Sequence, residues 1–576
     1  MAELLTETLG TFQGVNLRRD RLSLRDEDVA RAINLDLHTQ VGTALLRRGR
    51  LRLYGVDDLP ARLMRWVGGA RYLVSGATLY KNGASLLAAL DARQRTTLVA
   101  QRPLNAAVTY LFLADESGMQ KVSLVDDTVS PWGIAAPTAT PALAAGAGPG
   151  LSGTYSVSFT YVRKEGTAVA HESNPSPTSA DITVTNTVIA VSNLVDSSDT
   201  QVTHKRIYRT VNGGSTRLFE AEIAQGLTTA NLSLADTALG VAVETDNAVP
   251  PVTHWAVRHQ EHVFLLDTAH PSYLWWSKRY RPESVPGTNF IDMGTIADPL
   301  VCVVSLVGLL GVFTPTTKYR VLGNTTSGFL HQESLSSRGT PAPQAVIVTE
   351  RGCLFVAMDG LFRTNFVQED EELSTLISPL FEGRTTNDYL PINFAAAGTM
   401  ALGYWKQRLY FAYPSGDSLT PDMVAVYSFH TSSWYFYAMD CRCFDVEGGS
   451  PDGALLAGTS GGAVVQMETG TVDESGTPIP AELWSAQRAL GQSSLQKRFD
   501  YARLDISLDA GTVRCSLYID DRLRQVLVVT PSQVPALLRR LGGYQGYRWD
   551  WRLEIAGAAE ASVQSLGMSA LPLRGT

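Results

Sequence analysis

The feature that most constrains this chain is a strand–turn–strand pattern that recurs along most of its length. One copy is CLFVAMDGLFRTN (353–365), and similar pieces begin at Tyr72, Tyr110, Val263, Leu309, Arg408 and Ala454. Most steps lie between 38 residues (Tyr72 to Tyr110) and 55 residues (Cys353 to Arg408), but Tyr110 to Val263 spans 153. A unit of about 40–50 residues with paired strands is typical of a propeller blade, and stacked blades supply one another's core. The sequence therefore predicts an all-β fold, a β-propeller of six to eight blades.

The turn of the 353–365 hairpin is expected at Asp359–Gly360. Asp-Gly favours a two-residue type I′ turn, because both central residues of that turn need positive φ. An isolated hairpin is marginal in water, so this one is expected to pack against neighbouring sheets.

The long step is explained by an inserted domain at 138–250. A Pro/Ala/Gly-rich linker, ATPALAAGAGPG, opens this segment, and the short alternating strands that follow are typical of a β-sandwich. Alternating strands after about residue 480 predict a C-terminal β-rich domain. We therefore divide the chain into an N-terminal arm and docking region (1–56), a first propeller part (57–137), the insert (138–250), a second propeller part (251–479) and the C-terminal domain (480–576). Short helices are expected at 23–35 and within 531–543.

Composition narrows the functional class. The formal net charge is −8, which argues against a dedicated nucleic-acid binder but not against a surface that DNA passes without adhering. Five cysteines are sparse and odd in number, which indicates synthesis in a reducing compartment. The N-terminus lacks a signal-peptide pattern, and the apolar window 299–313 is too short for a membrane helix, so a protein made in a cytoplasm is expected.

No motif predicts catalysis, a cofactor or a metal site. The chain has no G-x-S-x-G, H-E-x-x-H, P-loop or EF-hand pattern. Cys441 and Cys443 form a C-x-C pair without a second pair, and alternate positions on a strand explain them equally well. The acidic run at 369–372 is expected to be a solvated loop. Carboxylates facing a propeller's central pocket could come from any blade, so a propeller glycoside hydrolase or lyase stays open as a less favoured alternative.

The arm is locally basic. Residues 17–50 hold eight arginines against five acidic residues. An ordinary mixed-charge face is one interpretation, and a docking surface for an acidic partner is the other, because arginine is favoured at interfaces. The candidate interface residues are Asn16, Arg18, Arg19, Asn34, Arg47 and Arg48. They lie outside any blade and are therefore expected to need a partner to become ordered.

The segment GVNLRRDRLSLRDEDVARAINLDLHTQVGTALLRRGRLRL (14–53) resembles the opening of the tail nozzle proteins (tubular tail or phage stabilisation proteins) of short-tailed bacteriophages. The family pattern falls on Gly14, Asn16, Glu27, Asn34, Gly42, Leu45 and Arg47 to Gly49. Further segments resemble the family in the same order: LWWSKRYRPES (274–284), VFTPTTKYRVLG (312–323), RGTPAPQAVIVTERGCLFVAMDGLFR (338–363) and LSTLISP (373–379). The insert resembles fibronectin type III-like modules of phage proteins in GTYSVSFTYV, ESNPSP, RIYRT and LADT.

The resemblance implies a structural virion protein of the phage tail, synthesised in the host cytoplasm. It implies a homohexameric ring that sits below the portal and its head-to-tail adaptor, carries tail fibres or spikes, closes the head and conducts double-stranded DNA during ejection. It implies no catalytic residues. A receptor- or glycan-binding tail component is the alternative, in which the insert and aromatic loops contact a surface.

Overall fold

The computed structural model describes residues 4–92, 96–324, 326–450, 452–531 and 536–573. The chain forms two compact units, of which segments 1–85 and 335–576 make the first and segment 86–334 makes the second. Nearly all of their regular elements are β-strands. Within the described ranges, no helix has the length and apolar character needed to cross a membrane.

The arm contains seven short strands. They are β1 (Leu5–Leu9), β2 (Gly14–Val15), β3 (Asp28–Val29), β4 (Arg31–Ile33), β5 (Leu35–Asp36), β6 (Ala44–Leu46) and β7 (Leu51–Gly55). The short helix expected at 23–35 is wrong. Its backbone pairs with strands instead: Val29 pairs with Val15, and Ala32 pairs with Leu483.

Two four-stranded antiparallel sheets follow. The first is β8 (Ala61–Val67), β9 (Ala70–Ser75), β10 (Thr78–Lys81) and β11 (Ala84–Leu87); the second is β12 (Thr97–Gln101), β13 (Tyr110–Ala114), β14 (Gln120–Ser123) and β15 (Val129–Pro131). Each is a meander whose neighbouring strands are consecutive in the chain.

The insert forms three small sheets of its own around a separate apolar core. Its strands are β16 (Ala142–Ala145), β17 (Leu151–Tyr155), β18 (Val157–Glu165), β19 (Ala168–Glu172), β20 (Ile182–Thr187), β21 (Ile189–Ser192), β22 (His204–Thr210), β23 (Arg217–Ala224) and β24 (Ala230–Leu232). The sheet orders are β16-β21-β24, β17-β20 and β19-β18-β22-β23. Among the described strands, none of the nine pairs with a strand outside the insert.

Five further four-stranded meanders complete the series. Their strands are β25 (Trp255–His259), β26 (His262–Leu266), β27 (Tyr273–Trp276), β28 (Phe290–Asp292), β29 (Cys302–Leu306), β30 (Leu309–Phe313), β31 (Lys318–Asn324), β32 (Gly328–Glu333), β33 (Val346–Thr349), β34 (Gly352–Ala357), β35 (Gly360–Thr364), β36 (Glu371–Glu372), β37 (Ala401–Trp405), β38 (Arg408–Tyr413), β39 (Met423–Ser428), β40 (Ser433–Ala438), β41 (Cys443–Val446), β42 (Leu455–Gly458) and β43 (Ala463–Gln466). The arm strand β7 supplies the fourth strand beside β43.

The C-terminal strands are β44 (Ala481–Trp484), β45 (Lys497–Leu508), β46 (Thr512–Ile519), β47 (Arg522–Val529), β48 (Ala536–Gly546), β49 (Trp549–Ala556) and β50 (Ala561–Pro572). They form two sheets, one in the order β48-β45-β50-β6-β5 and one that extends β37–β40 through β4, β44, β49, β46 and β47. The helix expected within 531–543 is wrong where the chain is described, because β48 pairs along β45. Residues 532–535 of that prediction lie outside the described residues.

The helical elements of the described chain are short. They are the single α-helical turn α1 (Ser378–Phe381) and 3-10 turns at Asp236–Ala238, Thr375–Ile377, Phe394–Thr399 and Glu447–Gly449.

The predicted fold class, an all-β β-propeller with an inserted β-sandwich and a C-terminal β domain, is confirmed. The described chain outside the insert holds seven four-stranded blade meanders, four in the first unit and three in the second; six are separate sheets, and β37–β40 is part of a larger sheet. Their central strands, such as β13, β26 and β38, are buried at every residue. Strands covered on both faces read as continuous apolar runs rather than as alternation, and this is the pattern that the sequence shows.

The 353–365 hairpin is confirmed, but its predicted turn is wrong. Ala357 pairs with Gly360, so the two central residues are Met358 and Asp359, one position earlier than expected. Neither has positive φ, and neither does Gly360. Glycine is needed at 360 for another reason: a Cβ there would lie 2.6 Å from the Ser374 hydroxyl.

Candidate functional site: the N-terminal arm and the insert anchor

The N-terminal arm, residues 4–55, is interwoven with the first unit. Strand β1 pairs with β50, β4 lies between β40 and β44, and β7 completes the sheet of β41–β43. Sheets from opposite ends of the sequence are therefore joined through the arm. The expectation that these residues need another protein to become ordered is wrong, because the partner that orders them is their own chain.

Asn16 fixes the first bend of the arm. Its side-chain oxygen accepts hydrogen bonds from the backbone N–H groups of Arg18 (3.2 Å) and Arg19 (3.3 Å), and its amide donates to Asp28 at 2.9 Å. The Asn16 side chain is buried, whereas Arg18 and Arg19 are exposed. Asparagine thus closes a local turn here, as it often does in loops.

Asn34 connects three parts of the first unit. Its side-chain oxygen accepts from the Arg47 Nε and from the Ala438 backbone N–H, both at 3.0 Å, and its amide donates to the Pro480 carbonyl at 2.8 Å. Its φ of 57° lies in the left-handed region, which asparagine tolerates better than most residues. Arg47 is buried, with its guanidinium 5.5 Å from the centre of the Tyr437 ring.

The six predicted interface residues therefore separate into two groups. Three are buried and already bonded within the chain: Asn16, Asn34 and Arg47. The other three are exposed and available to a partner: Arg18, Arg19 and Arg48. Docking of another protein at this exposed group stays a prediction.

Two glycines of the arm allow close backbone approach. A Cβ at Gly14 would lie 2.5 Å from the Ser433 Cβ, and a Cβ at Gly49 would collide with the Val472 carbonyl. No other residue fits at either position without displacing a neighbour, because real Cβ contacts are longer than this.

A buried charged cluster lies where the arm meets β38, β40 and the end of β43. The Arg408 Nη1 is 3.6 Å from Asp36 Oδ2 and 3.6 Å from Glu468 Oε1, and the Tyr410 hydroxyl donates to Glu468 at 3.1 Å. Burial raises the pKa of Glu468, and the nearby Arg408 opposes that shift. Burial likewise raises the pKa of Tyr410. The cluster joins the arm to two blades through charge rather than through apolar contact.

Aromatic rings and guanidinium groups alternate across the C-terminal sheet. The Arg552 guanidinium lies 4.1 Å from the Tyr518 ring centre and 4.3 Å from that of Trp484. Arg31 of the arm lies 5.4 Å from Trp484 and 4.8 Å from Tyr389. Sequence reasoning missed this stack, because its members come from strands whose neighbours cannot be identified before the sheet order is known.

The insert is anchored to two blades of the second unit by a buried carboxylate. Glu283, in the loop between β27 and β28, has a side chain only 1% exposed. Arg163 of β18 donates to both of its oxygens, at 2.7 and 2.8 Å, and Lys121 of β14 donates to one of them. Two-point arginine–carboxylate pairs are among the strongest charged hydrogen bonds. We call these three residues the insert anchor.

The insert anchor shifts the pKa of every group in it. Burial alone would raise the pKa of Glu283, but the charges of Lys121 and Arg163 hold it well below its usual range. Burial lowers the pKa of Lys121 to about 8, against the attraction of Glu283. Burial also lowers the pKa of the neighbouring His171 to about 4. His171 is therefore neutral at pH 7, and its Nε2 has no hydrogen-bond partner in the described structure.

The structure locates the cysteine pair and the acidic run that the sequence analysis considered as possible chemical sites. Cys441 and Cys443 are both buried, and burial raises the pKa of each thiol to about 12. Among the described residues, no group of three or more His, Cys, Asp or Glu side chains is placed to hold a metal ion. The acidic run is exposed, except for the half-buried Asp370, and two of its residues form the outermost strand β36.

A half-exposed row of aromatic rings lies on β27, on β28 and in the turn before β27. The rings of His270 and Tyr273 stack at 4.9 Å, those of Tyr273 and Phe290 at 4.6 Å, and Trp275 lies 4.9 Å from Phe290. The carboxylate of Asp267 accepts from the Trp275 indole at 3.1 Å and is 2.8 Å from the His270 Nδ1. We call these four rings the aromatic row.

No family model and no curated protein matches the chain. Among solved structures, the chain is similar to an exo-β-1,3-galactanase from Phanerochaete chrysosporium, with 7% identity over 57% of this chain and 97% of that one and a TM-score of 0.21. It is similar to the extracellular domain of a one-component system from B. thetaiotaomicron, with 9% identity over 92% and 63% and a TM-score of 0.28. It is also similar to the CNH domain of AfRom2, with 8% identity over 73% and 99% and a TM-score of 0.23. At such low scores the similarities assign neither a family nor an activity to the chain.

Proposed function

We propose that the chain is a structural virion protein, a tail nozzle subunit of a short-tailed bacteriophage. In this proposal six copies form a ring below the portal and adaptor, carry fibres or spikes, and conduct DNA during ejection. The observation that carries the proposal is the role of the arm residues on which the family resemblance rests.

Five of these residues meet a physical requirement of the arm's path. Gly14 and Gly49 allow close backbone approach, Gly42 adopts a φ of +88°, and Asn16 and Asn34 complete hydrogen-bonded bends. A pattern with such requirements is harder to match by chance than a list of common residues. It supports a shared arm architecture, and therefore the family assignment.

The described charged groups also fit an architectural role better than a catalytic one. The buried carboxylates Glu283, Asp36 and Glu468 all face arginine or lysine inside the chain. A carboxylate that is buried and bonded to cations of its own chain is not within reach of a substrate, as a general acid or base must be. We therefore infer that the chain is not an enzyme. Reducing-sugar release from envelope polysaccharide tests this, and turnover by the purified chain would overturn it.

Mass measurement of the purified chain, alone and mixed with its adaptor protein, tests ring formation. We expect a species of six times the chain mass, at least when the adaptor is present. Particles imaged by electron microscopy should then show a ring with a channel wide enough for duplex DNA. A monomer under all conditions would contradict the proposal.

A glycan-binding role is the second candidate, and the aromatic row favours it. Half-exposed stacked rings offer apolar faces next to a carboxylate, which suits the mixed apolar and hydroxyl surface of a sugar. A glycan array with the wild type and Tyr273→Ala tests this, and Tyr501→Ala, an exposed tyrosine elsewhere, is the control. Binding that Tyr273→Ala abolishes and Tyr501→Ala retains would support this role. The absence of any glycan signal would exclude it for the glycans tested.

A further inference from the structure

Strand β47 is an unusually open edge. It is eight residues long and lies at the end of its sheet, beside β46. Three apolar side chains of this strand are exposed: Leu523 (49%), Val526 (38%) and Val528 (52%). Long edge strands with exposed apolar residues pair readily with another strand, and natural proteins usually protect them. The protection on this edge is the charge of its two exposed arginines, Arg522 and Arg524, which an acidic partner strand would neutralise.

Strand β47 and the residues that follow it in sequence are basic. The stretch 522–548 contains five arginines and no acidic residue, in a chain whose net charge is −8. Of these, Arg522 and Arg524 lie on β47 itself and are exposed, directly after the exposed Asp521 of the preceding turn. Within the described residues, neither Arg522 nor Arg524 has an ion-pair partner. The edge therefore offers backbone hydrogen-bonding groups, apolar contacts and uncompensated positive charge together.

The same unit carries an edge with the opposite charge. Strand β36 (Glu371–Glu372) is the outermost strand of its blade, and it follows directly on Glu369 and Asp370. Glu369, Glu371 and Glu372 are exposed, and of these Glu371 is paired internally, with Arg363. Exposed Val367 (45%) precedes the run and adds an apolar contact.

We propose that β47 of one copy docks on β36 of a second copy, with arginines of the first facing carboxylates of the second. This inference rests on the proposed function and identifies the surfaces that would join neighbouring subunits. The two edges belong to different parts of the surface, so the contact is head-to-tail, and such contacts generate rings when the rotation closes. Strand addition supplies main-chain hydrogen bonds, and the charges set the register.

Nucleic acid is the other binding partner that a basic surface suggests. Phosphate recognition requires positive charge but neither a sheet edge nor exposed Leu and Val side chains. Strand addition to an acidic edge uses the charge, the sheet edge and the apolar side chains together. The observations therefore favour a second copy of the chain as the partner of β47, and DNA binding is treated as one outcome of the test.

Charge reversal tests the inference in the full-length chain. Variant A carries Arg522→Glu and Arg524→Glu, and variant B carries Glu369→Arg and Glu372→Arg. Each variant alone places like charges across the contact, and we expect the concentration needed for half-assembly to rise by about a hundredfold or more. An equimolar mixture of A and B restores opposite charges at every contact of an alternating ring. The mixture should therefore assemble near the wild-type concentration.

Arg279→Glu with Arg384→Glu is the matched control, since both arginines are exposed and lie on neither edge. Its assembly should equal that of the wild type, and thermal unfolding should show that all variants fold. If the wild type assembles and A and B assemble equally well alone, the inference fails while the proposed function stands. If the wild type never assembles, the proposed function fails. If variant A loses DNA binding but still assembles, the β47 edge is a nucleic-acid surface and the inference is overturned.

Discussion

The arm and the insert are attached to the rest of the molecule in opposite ways. The arm shares sheets with blades and C-terminal strands, so its attachment is spread over many backbone hydrogen bonds. The insert shares no sheet with the blades among the described strands, and one buried carboxylate, Glu283, holds two cations at the junction. Distributed backbone pairing tolerates single changes, whereas a buried ion cluster depends on each of its members.

The largest effect is expected when that carboxylate is removed. Glu283→Ala leaves Lys121 buried without its ion-pair partner and leaves Arg163 with only Glu165 as a counter-charge, 3.4 Å from its Nε, which should cost about 3–5 kcal/mol of unfolding free energy. Urea unfolding followed by tryptophan fluorescence measures this. The control is Glu244→Ala, whose partners Lys278 and Arg281 are nearer the surface. Equal losses in the two variants would contradict the role given to the insert anchor.

Deleting residues 138–250 should destabilise the chain less than Glu283→Ala does. The deletion removes Arg163 together with the insert and leaves Lys121 and Glu283 as a one-to-one pair. The Trp132 indole also keeps its bond to the Pro282 carbonyl, at 2.9 Å, since both lie outside the insert. Soluble yield and urea unfolding of the deletion variant check this. An insoluble product would show that the blades depend on the insert.

The arm should be most sensitive where its backbone is crowded. Gly49→Ala places a methyl group against the Val472 carbonyl and should cost about 1–3 kcal/mol. Gly461→Ala is the control, because a Cβ there meets no atom within 4 Å and its φ is not positive. Thermal unfolding compares the two, and equal melting temperatures would refute the close packing of the arm at residue 49.

Lowering the pH should weaken the contribution of His171, at the insert, to folding stability and strengthen that of Glu468, at the arm. The folded pKa of His171 is about 4, below its usual 6.5, so its contribution is fully present above pH 6.5 and is lost as the pH falls toward 4. Between pH 7 and pH 5 this loss amounts to about 2 kcal/mol, which His171→Gln should abolish.

Glu468 has a raised pKa in the folded state, so the folded chain takes up its proton first and gains stability as the pH falls. Glu468→Gln should remove that gain. Unfolding of the wild type and both variants across this pH range provides the measurement, and a parallel pH dependence in all three would contradict the assignment.

The smallest effect on stability is expected at the exposed arm arginines. Arg48→Ala should change the unfolding free energy by less than about 0.5 kcal/mol, as is usual for surface positions. If the arm is a docking surface, the same change combined with Arg18→Ala and Arg19→Ala should weaken adaptor binding. Titration calorimetry with the adaptor distinguishes these outcomes, and unchanged binding would restrict the arm to its structural role.

The sequence predicts the strands and the position of the insert well, but it predicts contacts between residues far apart in the chain poorly. Continuous apolar runs reveal blade strands because both faces of a blade are covered, and spacing reveals the insert. Turn geometry is less readable, since Gly360 is required by Ser374 rather than by its own φ. The strands β1, β4 and β7 of the arm could not be predicted, because their partners lie hundreds of residues away. Glu283 lies in the segment 274–284 that resembles the family, but its burial could not be predicted, since an acidic residue in a loop is normally solvated.

The pairing of β1 with β50 has a consequence for synthesis. Leu5 pairs with Ala570, so this strand has no partner until more than 500 further residues have been translated. At the usual elongation rate of about 5–20 residues per second, the wait is roughly half a minute to two minutes. During that interval the arm leaves the ribosome unpaired and must avoid aggregation or capture. The sheet that β1 shares with β50 can therefore be completed only after nearly the whole chain has been made.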